Sequence, residues 1–169
     1  MEHPIIALAR QAIIHYLMHR QFLDPPRELP PAMQGQAGVF VSLKRGGGLR
    51  GCIGTCAATQ PDIAREIIRN AASAATADPR FPPLTLHELE GLEISVDVLT
   101  PPERVPHEET LDPKRYGVIV RAQERVGVLL PDLTQITTAG QQLSIARRKA
   151  GITPDEPVEI HRFEVMRFR

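Results

Sequence analysis

Apolar and polar positions along the chain alternate between two spacings, and each change of spacing marks an element. Over residues 4–20, Ile5, Ala9, Ala12, Ile13, Tyr16 and Leu17 recur at helical intervals, which predicts an amphipathic helix with one buried stripe. Residues 24–38 carry Pro25, Pro26, Pro30 and Pro31 and read as a loop or extended arm. The runs 38–45 and 49–56 are strand-like, and Gly46, Gly47 and Gly48 between them predict a hairpin. A second helix is expected over 61–77, capped by Thr59 with Asp62 aiding its first turn. It stops at Asp78-Pro79, because a residue before proline avoids helical geometry.

Farther on, Thr85-Leu86-His87-Glu88 has the form of a capping box opening a short helix. Residues 93–99 alternate Ile94, Val96 and Val98 with Glu93, Ser95 and Asp97, the pattern of a half-buried strand. Residues 117–121 and 126–130 predict a second hairpin turning near Gln123-Glu124. A third helix follows over 138–150, with Gly151 as its C-terminal cap and Arg147, Arg148 and Lys149 where cations suit the helix dipole. The tail, 158–168, changes phase near Arg162-Phe163 and predicts a bulged last strand. Hairpins with helices between them, rather than strict βαβ alternation, indicate an α+β fold on a mainly antiparallel sheet.

The first hairpin carries the candidate chemistry. If the loop is the three glycines, Arg45 faces Leu49 and the pairing runs back from there. One face then holds Val39, Val41, Leu43, Leu49, Gly51 and Ile53; the other holds Phe40, Ser42, Lys44, Arg50, Cys52 and Gly54. A one-residue slip would scramble both faces. In this register Lys44 lies opposite Arg50, and like charges so placed cost about 0.2–1 kcal/mol. Two readings are open: the cationic heads splay into water, or an anion sits between them. A cysteine beside two cations should have a lowered pKa and raised reactivity. Gly51 and Gly54 would leave room for a ligand or another backbone to approach.

Composition narrows the possibilities. The 169 residues suit one domain with a real core. Twenty basic and twenty acidic residues balance, which argues against general nucleic-acid or anionic-membrane binding. No run reaches the roughly 18 apolar residues of a membrane span, and no signal peptide is visible. Two cysteines form no disulfide framework, so a reduced, cytoplasmic setting is expected. Cys52 and Cys56 on one extended strand would lie about 13 Å apart, too far for a disulfide, which leaves Cys52 as the candidate and Cys56 as a small core residue. His15 and His19 are four apart on a helix, but two ligands alone make no metal site. No metal and no cofactor is expected.

The run Leu49-Arg50-Gly51-Cys52-Ile53-Gly54-Thr55, preceded by Gly38-Val39-Phe40-Val41-Ser42-Leu43, resembles the signature of the AMME-syndrome candidate-gene domain family. Prokaryotic members are called AmmeMemoRadiSam system protein A. Asp78-Pro79-Arg80-Phe81, Pro83-Leu84-Thr85, Val98-Leu99-Thr100-Pro101-Pro102-Glu103, Tyr116-Gly117-Val118-Ile119-Val120, Leu129-Leu130-Pro131 and Lys149-Ala150-Gly151 extend the likeness over nearly the whole chain. The resemblance implies a single domain over 1–169. It would have a larger lobe holding both termini, a smaller lobe, and a cleft between them. It also implies that Arg80 joins Lys44 and Arg50 at the site, and that His87, after the Pro-Leu-Thr turn, is the histidine to assist a thiol. An aromatic near Thr138-Ala139-Gly140 and a cysteine before Lys149, both expected in the family, are absent.

Two functions compete. One is a thiol-dependent modification acting on a small anionic ligand, with Cys52, Arg50 and Lys44 as the chemical groups and Ser42, Gly51, Gly54, Thr55, Arg80 and His87 lining the site. The family name places such a protein beside radical S-adenosylmethionine and Memo-type pathway proteins. The other is an adaptor whose Leu-Arg-Gly-Cys-Ile-Gly surface binds an acidic protein segment without chemistry.

Overall fold

A computed structural model describes residues 1–169. The elements in order are α1 (Pro4–His19), β1 (Val39–Arg45), β2 (Gly48–Gly54), α2 (Ile63–Thr76), β3 (Leu92–Leu99), β4 (Glu103–Val105), β5 (Gly117–Ala122), β6 (Arg125–Leu129), α3 (Ala139–Lys149), β7 (Glu159–Phe163) and β8 (Val165–Phe168). The class is α+β. The strands form two four-stranded sheets rather than one, ordered β2-β1-β3-β8 and β4-β7-β5-β6. The tail is accordingly two strands, with Glu164 between them, and the change of phase marks the point where the chain leaves one sheet for the other.

The chain divides into two compact units, Met1–Leu99 with Met166–Arg169, and Thr100–Val165. In the first, α1 and α2 pack on the sheet through Ile5, Ile13, Ala64, Ile67 and Ala71, which meet Val39, Val41, Leu43 and Val96. The alternation of β1 therefore does what the sequence pattern requires: its odd-numbered apolar side chains are buried, while Phe40 and Ser42 lie half-buried on the reverse. Gly51 is buried because α2 comes very close: a Cβ there would sit 2.2 Å from the Ala74 carbonyl oxygen. In the second unit α3 lies on β5 and β6, enclosing Val118, Val120, Leu129, Leu143 and Ala146.

Helix α2 begins later than expected. Asp62 is its cap, accepting from the Arg65 amide at 2.8 Å. Thr59 is diverted to Glu66, which is 1 % exposed and has no cationic partner. The Glu66 carboxylate accepts from the Thr55 hydroxyl (2.7 Å), the Thr59 amide (2.9 Å) and hydroxyl (2.7 Å), and the Gln60 amide (2.9 Å). Four donors replace the water that a buried carboxylate has lost, and they tie the segment after β2 onto α2.

Candidate functional site

The hairpin turn is tighter than three glycines would make it. Gly46 (φ 58°) and Gly47 (φ 79°) form a two-residue turn closed by Arg45 and Gly48. Positive φ at both central positions matches the twist of the flanking strands. Phe40–Gly54, Val41–Ile53, Ser42–Cys52 and Leu43–Gly51 pair as the sequence predicts, but Lys44 pairs with Leu49 and Arg45 with Gly48. The one-residue difference is absorbed by a bulge that places Arg50 out of register, so Arg50 does not face Lys44. Lys44 is exposed, and its partner on β3 is Glu93. The expected like-charge pair is thus removed, and with it the clamp for an anion between Lys44 and Arg50.

Arg50 turns instead to the short helical turn Leu86–Leu89. Its Nε and Nη2 donate to the two Glu88 carboxylate oxygens at 2.8 and 3.2 Å, and its Nη1 to the Pro82 carbonyl at 2.9 Å. Glu88 also closes the predicted capping box, accepting from the Thr85 amide at 2.9 Å. Hydrogen bonds from Arg50 first, then from the Thr85 amide, pull its carboxyl down to about 2.

Cys52 is half-buried, with Sγ 3.2 Å from the Ser42 hydroxyl oxygen on the neighbouring strand. Next in that row, on β3, is Ser95. The backbone of Cys52 faces outward from edge strand β2 and is met there by the turn that ends α2. Its amide donates to Asp78 Oδ2 at 2.9 Å. Its carbonyl accepts from Arg80 Nη2 at 3.4 Å. Asp78, whose side chain is 2 % exposed, also accepts from the Arg80 amide, Nε and Nη2 at 3.0, 3.0 and 2.8 Å. These bonds, above all from the Arg80 side chain, hold the Asp78 carboxyl far below the usual range despite its burial. The Asp78 hydrogen bond raises Arg80 further, and a charge interaction with Cys52 contributes in the same direction.

Phe81 does not fill the core. It is half-exposed, with the Arg50 and Arg80 guanidinium carbons 6.0 and 5.5 Å from its ring centroid.

The predicted residues therefore divide. Cys52, Ser42 and Arg80 come together, with Arg50 reaching the same Phe81 ring. Lys44 stands apart in the exposed end of the hairpin. The space over Gly51 is taken by the α2 backbone, and a Cβ at Gly54 would lie 2.2 Å from the Phe40 ring, so neither glycine leaves room for a ligand. Thr55 is committed to Glu66, and its oxygen also receives the Val39 amide at 3.3 Å. His87 is exposed on the Leu86–Leu89 turn. Cys56 lies beyond the end of β2, half-buried outside the core cluster, and neither cysteine is in a disulfide. Asp78 and Glu88 are the residues that sequence reasoning missed as parts of the site. Each reads locally as a capping or turning residue, and neither role announces a distant partner. A shallow depression of about 700 Å³ beside α3, lined by Leu143, Ser144 and Arg148 among others, contains none of the predicted residues.

Three helices packed on two four-stranded sheets make this a two-unit α+β protein. The AMMECR1 family pattern matches residues 6–168, and the chain belongs to that family. It is 46 % identical over 171 residues to a protein of Thermotoga maritima, covering 99 % of this chain and 98 % of that one. A protein of Clostridium acetobutylicum is 44 % identical over 168 residues, and there the match spans only 36 % of the relative's length. The crystal structure of an uncharacterized Pyrococcus horikoshii protein superposes with a TM-score of 0.90 at 33 % identity, covering 96 % of this chain and 88 % of the other. No helix is long and apolar enough to cross a membrane.

Proposed function

We propose that Cys52 is the reacting group of a thiol site in which Ser42 hydrogen-bonds the sulfur and Arg80 favours its ionised form. The observation that supports this most directly is the placement of Arg80. Its guanidinium donates to the carbonyl of Cys52 itself at 3.4 Å, and a charge interaction with Cys52 is the smallest of the effects that raise Arg80. A cation held beside a thiol lowers its pKa and supplies thiolate at neutral pH. The Arg80 side chain is 50 % exposed and its Nη1 makes no hydrogen bond, so an anionic group on a substrate could be received there without displacing Asp78. The substrate class is then a small electrophile with a negative charge near its reacting carbon. A cytoplasmic thiol-modification pathway, shared with the radical S-adenosylmethionine and Memo-type proteins of the family name, is the setting this reading implies.

Adaptor function toward an acidic segment has less support, because Arg50 and Arg80 already hold carboxylates of their own chain. An acidic partner would have to compete with Glu88 and Asp78.

Alkylation by iodoacetamide in a Cys56→Ser background tests the reading. The thiolate attacks the methylene carbon, a C–S bond forms, and iodide leaves with the C–I electrons. The expected pH midpoint is well below the unperturbed value of about 8.5, and it rises by about 1 unit in Arg80→Ala. A wild-type midpoint of about 8.5 or above overturns the thiol reading. Capture of an acidic peptide that survives Cys52→Ser but is lost in Arg50→Ala with Lys44→Ala would replace it with the adaptor.

A further inference from the structure

The Asp78-Pro79-Arg80 turn occupies the free edge of β2 in the manner of an additional strand. A strand edge presents an amide and a carbonyl from alternate residues, and at Cys52 both are taken: the amide by Asp78 and the carbonyl by Arg80. The same carboxylate grips Arg80 three times, through its amide, Nε and Nη2. A fork held on two nitrogens by one carboxylate has little freedom to rotate. From these contacts we infer that Asp78 is the positioning residue of the Cys52 site: it fixes the Cys52 peptide and aims the Arg80 guanidinium at that residue. The inference rests on the thiol reading above.

Asp78 need not act this way merely because it is present. It is an anion, and an anion near a thiol opposes ionisation of the sulfur. Two effects of removing its charge therefore have opposite signs. If Asp78 acts only through its charge, neutralising it lets Arg80 act unopposed, and the thiol midpoint falls. If Asp78 acts by holding Arg80 in place, neutralising it frees the guanidinium to swing into water, and the midpoint rises. Half of the Arg80 side chain is exposed, and besides Asp78 and the Cys52 carbonyl it is restrained by the Phe81 ring, 5.5 Å from the guanidinium carbon.

The other groups around the sulfur stay constant in this comparison. From β1 these are Ser42 opposite and Lys44 beyond it; from β3, Ser95 in the same row, with Glu93 and Asp97 on either side. From β2 itself there is Arg50, which holds Glu88 of the Leu86–Leu89 turn. Asp97 is paired with Arg167 through two bonds of 2.7 Å, and Arg50 with Glu88, and both pairs are the same in every variant compared.

The experiment measures the iodoacetamide midpoint of Cys52 in the 169-residue chain carrying Cys56→Ser, alone and with Asp78→Asn, Arg80→Lys or Arg80→Ala. Positioning by Asp78 predicts that Asp78→Asn raises the midpoint by about half the Arg80→Ala shift or more, within the range of about 1 unit expected of one nearby charge. Arg80→Lys keeps the charge but not the fork, and the same inference predicts a rise there too. A midpoint in Asp78→Asn at or below wild type overturns the inference while leaving the thiol reading intact. If that variant does not fold, Arg80→Lys decides: a midpoint equal to wild type overturns the inference, and a rise upholds it. An ordinary wild-type midpoint is a different failure, that of the thiol reading itself.

Discussion

In the first unit a helix approaches its sheet over Gly51, where a Cβ would lie 2.2 Å from the Ala74 carbonyl oxygen; in the second a helix approaches over Gly127, where a Cβ would lie 1.9 Å from the Ala146 carbonyl oxygen. Both units thus seat an alanine-bearing helix on a strand next to a hairpin turn by removing one side chain. Their edges differ. At β6 an open carbonyl is met by a long basic side chain, Lys149 Nζ donating to Val128 at 2.9 Å, while Arg125 of β6 itself reaches out to the Gly151 carbonyl at 2.8 Å and pairs with Glu156. At β2 the edge is met by Asp78 with its side chain 2 % exposed, and the bulged Arg50, 14 % exposed, is tied to Glu88. Closing an edge needs no buried carboxylate, as β6 demonstrates. Desolvating charge is costly, so its concentration around Cys52 separates the two edges in kind.

The turns differ as well. Gly46 and Gly47 take positive φ without strain, whereas the second hairpin puts Gln123 at φ 57°. A side chain there is pressed toward its own carbonyl.

Gly51→Ala and Gly127→Ala should each destabilise by about 3 kcal/mol or more, because the obstructing atom is helix backbone that cannot rotate away. Urea denaturation checks this, and a loss under about 1 kcal/mol in either would end the equivalence of the two helix seats. Next, Arg50→Ala should cost about 2 kcal/mol, since it strands a half-buried carboxylate, while Arg125→Ala should cost clearly less at its more exposed pair. Equal losses would erase the contrast between the edges.

A pH series sharpens the same point. Glu88 is pulled from 4.5 to about 2 in the folded protein, so the folded state binds its proton less readily than the unfolded chain. Its contribution is complete above the unfolded value and is lost as pH falls through the folded one. The stability advantage of wild type over Glu88→Gln should therefore shrink between 4.5 and about 2. An advantage that does not change over that interval would rule out the Arg50–Glu88 tie. The smallest effect concerns the turns. Gly47→Ala should destabilise by about 1 kcal/mol, and Gln123→Gly should stabilise by about 0.5 kcal/mol, strain relief exceeding the added chain entropy.

Much of the fold was legible because it is written in nearest-neighbour terms. The two faces of β1 follow from alternation alone, and the capping box at Thr85–Glu88 needs only its four residues. Where reading failed, a residue had a second partner out of sequence range. Thr59 lost its capping role to Asp62 because Glu66 claimed it. Arg50 left its register because Gly46 and Gly47 sufficed for the turn, and the extra residue became a bulge. The glycines taken for ligand space hold instead a helix backbone and a phenyl ring. At the site, Ser42 beside Cys52 was legible from the strand register, while the Asp78 carboxylate on the Cys52 amide was not.

By itself the sequence determined the three helices and the two hairpins, the inward and outward faces of β1, and the family, but neither β4 nor the division of the tail into β7 and β8. These depend on spacing along the chain, which periodicity and turn chemistry express directly. Only the tertiary structure decided that the strands divide into two sheets, that Arg50 belongs to Glu88, and that Asp78 and Arg80 close the strand edge at Cys52. The Cys52 amide and Asp78, 26 positions apart, and Arg50 and Glu88, 38 apart, find one another through packing, and no local pattern of residues encodes such a pairing.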